Sequence, residues 1–146
     1  MYHFLSACKR IEEISCQLYQ LLANERTFSG EIRKTFKRLS DDERAHASQI
    51  NLLLQANAKE LKALRAISDA KINETLEQAE RMLCQVMEEK LSEEMALQLA
   101  VKMEQQFVDV HVHNAVKFDS RKLAELFEKL GNEDQTHINV LKECLK

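Results

Sequence analysis

Two carboxylate-x-x-His motifs lie in segments of the sequence that resemble each other. Residues 36–46 end in Glu43-x-x-His46, and residues 127–137 end in Asp134-x-x-His137. Both segments begin with phenylalanine and keep a basic residue, a leucine, a carboxylate and a histidine in register. Because residues three apart on an α-helix share a face, each pair could reach a single metal ion. The repeat therefore predicts two similar metal-binding half-sites.

Two further carboxylates are expected at the same height as these motifs. Glu12 precedes the first turn of the chain by about 13 residues and Glu43 follows it by about 13, so both lie ~20 Å from one end of a helix pair. Glu104 and Asp134 flank the last turn at about the same distances. A bundle of the two helix pairs would bring four carboxylates and two imidazoles together near its centre.

The helical face decides which acids point inward. Glu12 shares its face with Cys8, Ser15, Cys16 and Tyr19. Glu13 has Lys9 and Arg10 one turn earlier and is expected to face water. The same test favours Asp134 over Glu133, which lies about 100° away around the helix. Asp42, next to the predicted ligand Glu43, is expected to have no role in the site.

Metal binding explains these acids better than burial alone. Four clustered carboxylates would repel one another, and some would stay protonated. Two divalent cations would balance their charge. Carboxylate oxygen and imidazole nitrogen suit Fe(II) or Mn(II), and no cysteine lies on the seam at the same level to select a softer metal.

The elements that position these residues are predicted to be helices. The sequence has no proline and only two glycines, and it is 31% charged. Apolar residues recur at helical spacing over 2–25, 30–57, 93–117 and 120–145. A charged connection and an amphipathic helix starting near Ile72 fill the crossover 58–91. We predict one all-α domain, residues 1–146, folded as a ferritin-like four-helix bundle with an extra helix in the crossover.

Composition also excludes several classes of partner. The net charge of -3 with mixed signs provides no basic surface for nucleic acid. No apolar run is long enough for a membrane span, and no secretory signal is expected at the N-terminus. The four cysteines form no C-x-x-C pair. We interpret them as reduced thiols and expect a cytoplasmic protein.

The sequence resembles the ferritin-like di-iron carboxylate proteins, and among them the rubrerythrin type. Glu12 with Tyr19 is similar to the glutamate and tyrosine of that family's first helix, and Glu43-x-x-His46 is similar to its second-helix motif. Glu104 takes the corresponding position in the third long helix. The predicted metal ligands are Glu12, Glu43, His46, Glu104, Asp134 and His137. Tyr19 is expected to hydrogen-bond a ligand carboxylate rather than to take part in electron transfer.

Three departures from the family pattern bear on the site. Asp134 stands where a glutamate is usual, and its shorter arm could alter how the metals are bridged. His111 stands where a second tyrosine would be expected, and three positions stay open for it: a core position or a contact with a ligand, an additional or alternative ligand, or the surface. No C-x-x-C pair follows the last helix, so we expect no rubredoxin-like domain.

The resemblance implies two iron ions, with manganese as an alternative, and two-electron reduction of hydrogen peroxide. An external electron-donor protein would then restore the reduced site. Two other functions stay open: a ferroxidase or an iron- or manganese-handling protein that uses dioxygen, and a non-enzymatic bundle with a structural metal. We expect a homodimer, in which the long crossover would allow helices to be exchanged between chains.

Overall fold

The fold is a bundle of long helices, described by the computed structural model over residues 1–56, 61 and 68–146. The helices are α1 (Tyr2–Ala23), α2 (Gly30–Ala56), α3 (Ala70–Glu88), α4 (Glu93–Ala115) and α5 (Arg121–Cys144). No strand occurs in these residues. The predicted all-α bundle is therefore confirmed. The predicted crossover helix corresponds to α3, while most of the predicted charged connection lies outside the described residues.

Serine side chains mark where three of the helices begin. The hydroxyl of Ser92 accepts a hydrogen bond from the Met95 amide at 3.1 Å, which caps α4. Ser120 does the same for Leu123 at 3.4 Å at the start of α5, and Ser29 accepts from an amide in the first turn of α2. The Ser92 cap lies between α3, which ends at Glu88, and α4, so the two do not form one continuous helix.

The helices pack as two consecutive pairs, α1 with α2 and α4 with α5, and α3 packs against α1. Aromatic side chains fill the interior between the pairs. Phe4 contacts Phe127 at a ring-centroid distance of 6.1 Å, and Tyr19 stacks on Phe36 at 5.9 Å. Each of these rings is at most 1% exposed. This apolar packing holds the polar residues of the centre at fixed positions on their helices.

Gly131 allows α5 to approach α4 closely. A Cβ atom built at this position would lie 2.6 Å from Cγ2 of Val112 and 3.7 Å from Cβ of His111. The glycine thus fits the close helix contact next to the predicted site, one turn before Asp134. No helix among the described residues combines the length and the apolar character that crossing a membrane would require.

Candidate metal centre

Four helices bring the six predicted ligands into the middle of one chain. Glu12 comes from α1, Glu43 and His46 from α2, and Glu104 from α4; α5 contributes the remaining pair. The four carboxylate residues are 0% exposed, and the two histidines are 2% and 4% exposed. Charged groups this deeply buried require compensation by other charges or by metal ions. The carboxylates and imidazoles lie close enough together to provide a common site.

The potential ligands form two groups that share Glu43. One group contains Glu12, Glu43 and His46, and the other contains Glu43, Glu104, Asp134 and His137. Within each group, one ligand atom per residue lies within 4.8 Å of the others. Two metal positions bridged by a common carboxylate would use this arrangement. Asp134, rather than its neighbour Glu133, is the α5 carboxylate in the second group.

Both imidazoles turn Nδ1 toward the carboxylates. Nδ1 of His137 lies 3.0 Å from Oε1 of Glu43 and 3.3 Å from Oε1 of Glu104. Nδ1 of His46 lies 3.4 Å from Oε2 of Glu12 and 3.8 Å from Oε1 of Glu43. The two rings are nearly parallel, with centroids 5.9 Å apart. Glu43 Oε1 therefore faces both histidines and is placed to serve both metal positions.

Several ligand atoms in this centre have no hydrogen-bond partner among the described residues. They include both carboxylate oxygens of Glu12 and one oxygen each of Glu43, Glu104 and Asp134, together with Nδ1 of His46. Buried polar atoms are almost always hydrogen-bonded in folded proteins. Their unpaired state fits divalent cations, which would bind oxygen and nitrogen atoms of this kind. The residues present therefore fit a dinuclear metal centre.

Side chains around the centre hold the carboxylates in place. Tyr19 donates a 2.6 Å hydrogen bond to Oε1 of Glu104, and Ser15 donates a 2.8 Å bond to Oε2 of Glu43. Burial and the negative charge of Glu104 raise the pKa of Tyr19 well above its usual value, so this hydroxyl keeps its proton. Tyr19 thus contacts Glu104, one of the predicted ligands. Ser15 is an additional contact that faces the site from α1.

The outer nitrogen of each histidine contacts a carboxylate from the opposite helix. Nε2 of His137 lies 3.1 Å from Oδ2 of Asp42 on α2, and Nε2 of His46 contacts Glu133 on α5. A carboxylate in this position fixes the tautomer and orientation of a metal-binding histidine. Asp42, which was expected to have no role in the site, thus contacts His137, and Glu133 contacts His46. The repeated acid before each ligand carboxylate was the signal in the sequence.

Substitution of Asp42 by asparagine should weaken metal binding without removing a ligand. Loss of an outer carboxylate partner of a metal-binding histidine typically costs about 10–100-fold in affinity. We expect a loss of this size at the metal position that His137 serves. Competition with a fluorescent chelator would measure it. Asp41→Asn is the matched control, because Asp41 is exposed and pairs with Lys37; an equal loss in both variants would contradict the role of Asp42.

The pKa values of the buried carboxyl groups diverge. Burial, reinforced by repulsion from Glu104 and Glu12, raises the pKa of Glu43 well above its usual value. Burial also raises the pKa of Asp134, to about 7, although His111 opposes the rise. For Glu12, burial is outweighed by the imidazoles of His111 and His46, and its pKa is lowered. In the metal-free protein, Glu43 and Asp134 therefore retain protons more readily than ordinary carboxyl groups do.

The imidazoles of the centre are shifted toward the protonated form. Burial disfavours the charge on His137, but contact with Glu104 prevails and the pKa rises to about 9. For His111, burial is likewise outweighed by Asp134 and Glu12, and the pKa rises to about 10. Burial opposes a charge on His46 as well, yet Glu12 raises its pKa. Protons on these rings partly balance the charge of the carboxylates, and bound metal ions would displace the protons of the two predicted ligands, His46 and His137.

His111 is fully buried and lies between two of the carboxylates. Its Nδ1 lies 2.5 Å from Oδ2 of Asp134, and its Nε2 lies 3.2 Å from Oε1 of Glu12. It is not a member of either group of closely spaced ligand atoms. This position corresponds to the first alternative for His111, a core residue that touches ligands.

A cleft between α2 and α5 leads from the surface to the histidine side of the centre. It has a volume of about 330 Å³, and its lining includes His46, His137, Asp42 and Glu133. The two carboxylates are 43% and 39% exposed, whereas the two histidine side chains are 3% and 5% exposed. A small molecule could therefore approach the imidazoles from this side while the carboxylates of the centre stay covered.

A comparison with protein-family models agrees with the geometry of the centre. The Rubrerythrin family model matches residues 3–145, a segment that includes all six potential ligands and both helix pairs. Searches of curated proteins and of solved structures returned no match. A match over nearly the whole chain shows the family to which the chain belongs, and the cluster of carboxylates and histidines agrees with it. The chain belongs to the rubrerythrin family.

Proposed function

We propose that this protein is a di-iron oxidoreductase that reduces hydrogen peroxide by two electrons. The observation that carries the proposal is the buried cluster of carboxylates and imidazoles, divided into two ligand groups that share Glu43. Carboxylate and imidazole ligands suit iron, with manganese as the alternative metal. The family to which the chain belongs supports iron. Two metal ions are part of the proposal.

When bound, two ferrous ions would supply one electron each, and hydrogen peroxide would take up both electrons and two protons to give two water molecules. The chain would hold the ions through the six ligands and keep their geometry fixed through the surrounding side chains. Tyr19 would remain a hydrogen-bond donor to Glu104, because its pKa is raised by burial and by that carboxylate. Its role is to hold Glu104 rather than to transfer a proton.

Access to the centre supports a small substrate. The cleft between α2 and α5 reaches His46 and His137, and its volume of about 330 Å³ is ample for peroxide. Asp42 and Glu133 connect the outer nitrogens of the two histidines to water at the same opening. The apolar core closes the remaining sides of the centre, which limits the approach of bulk water.

Turnover would require a source of electrons. We propose that an external donor protein re-reduces the iron. The cysteines are free rather than disulfide-bonded, which favours a reducing compartment such as the cytoplasm. A homodimer remains our expectation. Exchange of helices is not needed to complete the site, because one chain contains all six potential ligands.

An anaerobic peroxide titration tests the proposed reaction. Metal-free protein is loaded with two equivalents of Fe(II) and mixed with hydrogen peroxide, and the ferric absorption is followed by stopped-flow spectroscopy. We expect complete oxidation at one peroxide per two irons, much faster than for free Fe(II) in the same buffer. Protein loaded beforehand with Zn(II) serves as the control and should lose the fast phase.

The same experiment separates the alternative functions. Oxidation no faster than that of free Fe(II) would contradict the proposed activity. A faster reaction with dioxygen than with peroxide at equal concentration would favour a ferroxidase. Tight binding of metal without reaction toward either oxidant would favour a structural metal.

A further inference from the structure

The two metal positions have different numbers of protein ligands. The position on the side of α1 is surrounded by Glu12, Glu43 and His46. The other position has Glu104, Asp134 and His137 in addition to the shared Glu43. We call them the three-ligand position and the four-ligand position. The second has one more carboxylate, which should increase its attraction for a divalent cation.

Asp134 belongs only to the four-ligand position, and its contact with His111 provides a reason. Oδ2 of Asp134 lies 2.5 Å from Nδ1 of His111. Oδ1 is buried and has no hydrogen-bond partner among the described residues. One oxygen is thus held by the imidazole, and the other remains for a metal ion. A carboxylate that bridges two metal ions through both oxygens would have to give up or share this contact.

The imidazole of His111 is itself held firmly. Its ring packs edge-on against Phe127 at 5.5 Å and contacts Phe107 at 6.5 Å. Its Nε2 faces Glu12 at 3.2 Å, so the ring lies between the carboxylates of α1 and α5. The side chain is fully buried, and reorienting it would disturb this aromatic packing.

We propose that the two metal positions are unequal in affinity and that His111 is the positioning residue that maintains the difference. His111 holds Asp134 at the four-ligand position, which would bind its ion more tightly. The three-ligand position, with one carboxylate fewer, would exchange its ion more readily. This inference rests on the dinuclear centre of the proposed function, but it does not depend on the oxidant.

A tyrosine at position 111 would not provide the same contacts. A phenolic hydroxyl has one proton to donate, whereas an imidazole presents two nitrogens on opposite sides of its ring. On the other side of the centre, the hydroxyl of Tyr19 donates its hydrogen bond to Glu104. His111 contacts two carboxylates from different helices. A tyrosine at this position could therefore face only one of the two carboxylates.

Stepwise binding of Mn(II) to metal-free protein measures the inequality. Free Mn(II) is quantified by electron paramagnetic resonance during an anaerobic titration. We expect two steps, with the first ion bound at least about tenfold more tightly, a difference of about 1.4 kcal/mol. Glu104→Gln should weaken the first step, and Glu12→Gln should weaken the second. Two steps of equal affinity in the unmodified protein would overturn the proposal.

Variants of His111 and Asp134 test the positioning role. In His111→Ala, Asp134 is free to reach both positions, and the two affinities should converge. The resonance signal provides a second readout: a spin-coupled two-manganese signal should appear from the first equivalents in the variant, but only after one equivalent in the unmodified protein. His113→Ala is the matched control, because His113 is exposed two residues further along α4.

A second variant keeps the test decisive if His111→Ala fails to fold. Asp134→Glu retains His111 but lengthens the carboxylate arm, and it should also bring the two affinities together. If His111→Ala folds and the two Mn(II) affinities still differ as in the unmodified protein, the role of His111 is overturned. If His111→Ala does not fold, an unchanged difference between the two affinities in Asp134→Glu overturns it. Unequal Mn(II) affinities without any reaction of the iron form with peroxide would instead contradict the proposed function alone.

Discussion

Replacing Glu43 with glutamine should abolish tight binding at both metal positions. Glu43 is the residue that the two ligand groups share. Its Oε1 faces His46 and His137, and its Oε2 accepts the hydrogen bond from Ser15. The amide keeps the size of the side chain but loses the charge that both ions require. The loss should exceed the roughly 100-fold that removal of an outer partner can cause.

The same substitution should stabilise the protein when no metal is present. Burial and neighbouring carboxylates raise the pKa of Glu43 well above 4.5, so folding carries a cost at pH 7 that an amide avoids. We expect metal-free Glu43→Gln to be more stable than its parent by about 1–3 kcal/mol. With metal bound, the parent protein should be more stable than Glu43→Gln. Below about pH 4.5, where the carboxyl is protonated in both the folded and unfolded states, the advantage should disappear.

Thermal and urea unfolding with chelator or with Mn(II) would measure this reversal. Glu13→Gln is the matched control, because Glu13 is an exposed acid on the outer side of α1 beside Glu12. Glu13→Gln should bind as much metal as the parent protein and should be equally stable with chelator and with Mn(II). Retention of two tightly bound ions by Glu43→Gln would contradict a bridging role for Glu43.

The metal-free protein should lose stability as the pH rises from 7 to 10, whereas the metal-loaded protein should gain stability from pH 6 to 8. The pKa values of His137 and His111 are raised to about 9 and about 10 by carboxylates that outweigh burial. Between pH 6.5 and these values, the folded state binds more protons than the unfolded state, so its stability falls with pH. Ionisation of Glu43, whose pKa is also raised, acts in the same direction.

The loss should be on the order of a few kcal/mol, because one pKa unit corresponds to about 1.4 kcal/mol. Bound metal reverses the slope because it needs deprotonated ligands, so metal affinity increases with pH. Urea unfolding at several pH values, with chelator and with Mn(II), would show the two slopes. His137→Gln should flatten the slope of the metal-free protein, and the exposed His113→Gln should not. A metal-free protein whose stability is constant or rising over pH 7–10 would contradict this assignment of charges.

Much of the arrangement could be predicted from the sequence because helices convert residue counts into distances and directions. Counting from the turns placed Glu12 level with Glu43, and the helical face selected Asp134 rather than Glu133. In the structure, the buried ligand groups contain the selected residues. The predicted ends of the helices were less accurate. The first helix was predicted to end at residue 25 and ends at Ala23. Amphipathic spacing locates the body of a helix but not its last hydrogen-bonded residue.

The contacts around the ligands could not be predicted in the same way. Asp42 and Glu133 lie off the inward face, yet each side chain reaches across the cleft to a histidine of the other helix. Helical periodicity gives the direction of a side chain from its own axis but not how close the neighbouring helix comes. The role of His111 stayed open for a related reason: spacing places a ring on a face but does not show which atoms its two nitrogens meet.

The contacts of His137 with Asp42 and of His46 with Glu133 relate the two helix hairpins to each other by an approximate twofold symmetry. Each helix hairpin supplies the carboxylate that completes the histidine of the other. In a dimer of two identical hairpins related by a twofold axis, the histidine of each copy would contact the acid of the other copy. Such a dimer would therefore contain the same two contacts. The chain therefore has the form of a fused hairpin dimer. In a dimer of identical hairpins, any substitution would change both halves, whereas in one chain His111 and Tyr19 can differ at equivalent positions, as can Asp134 and Glu43.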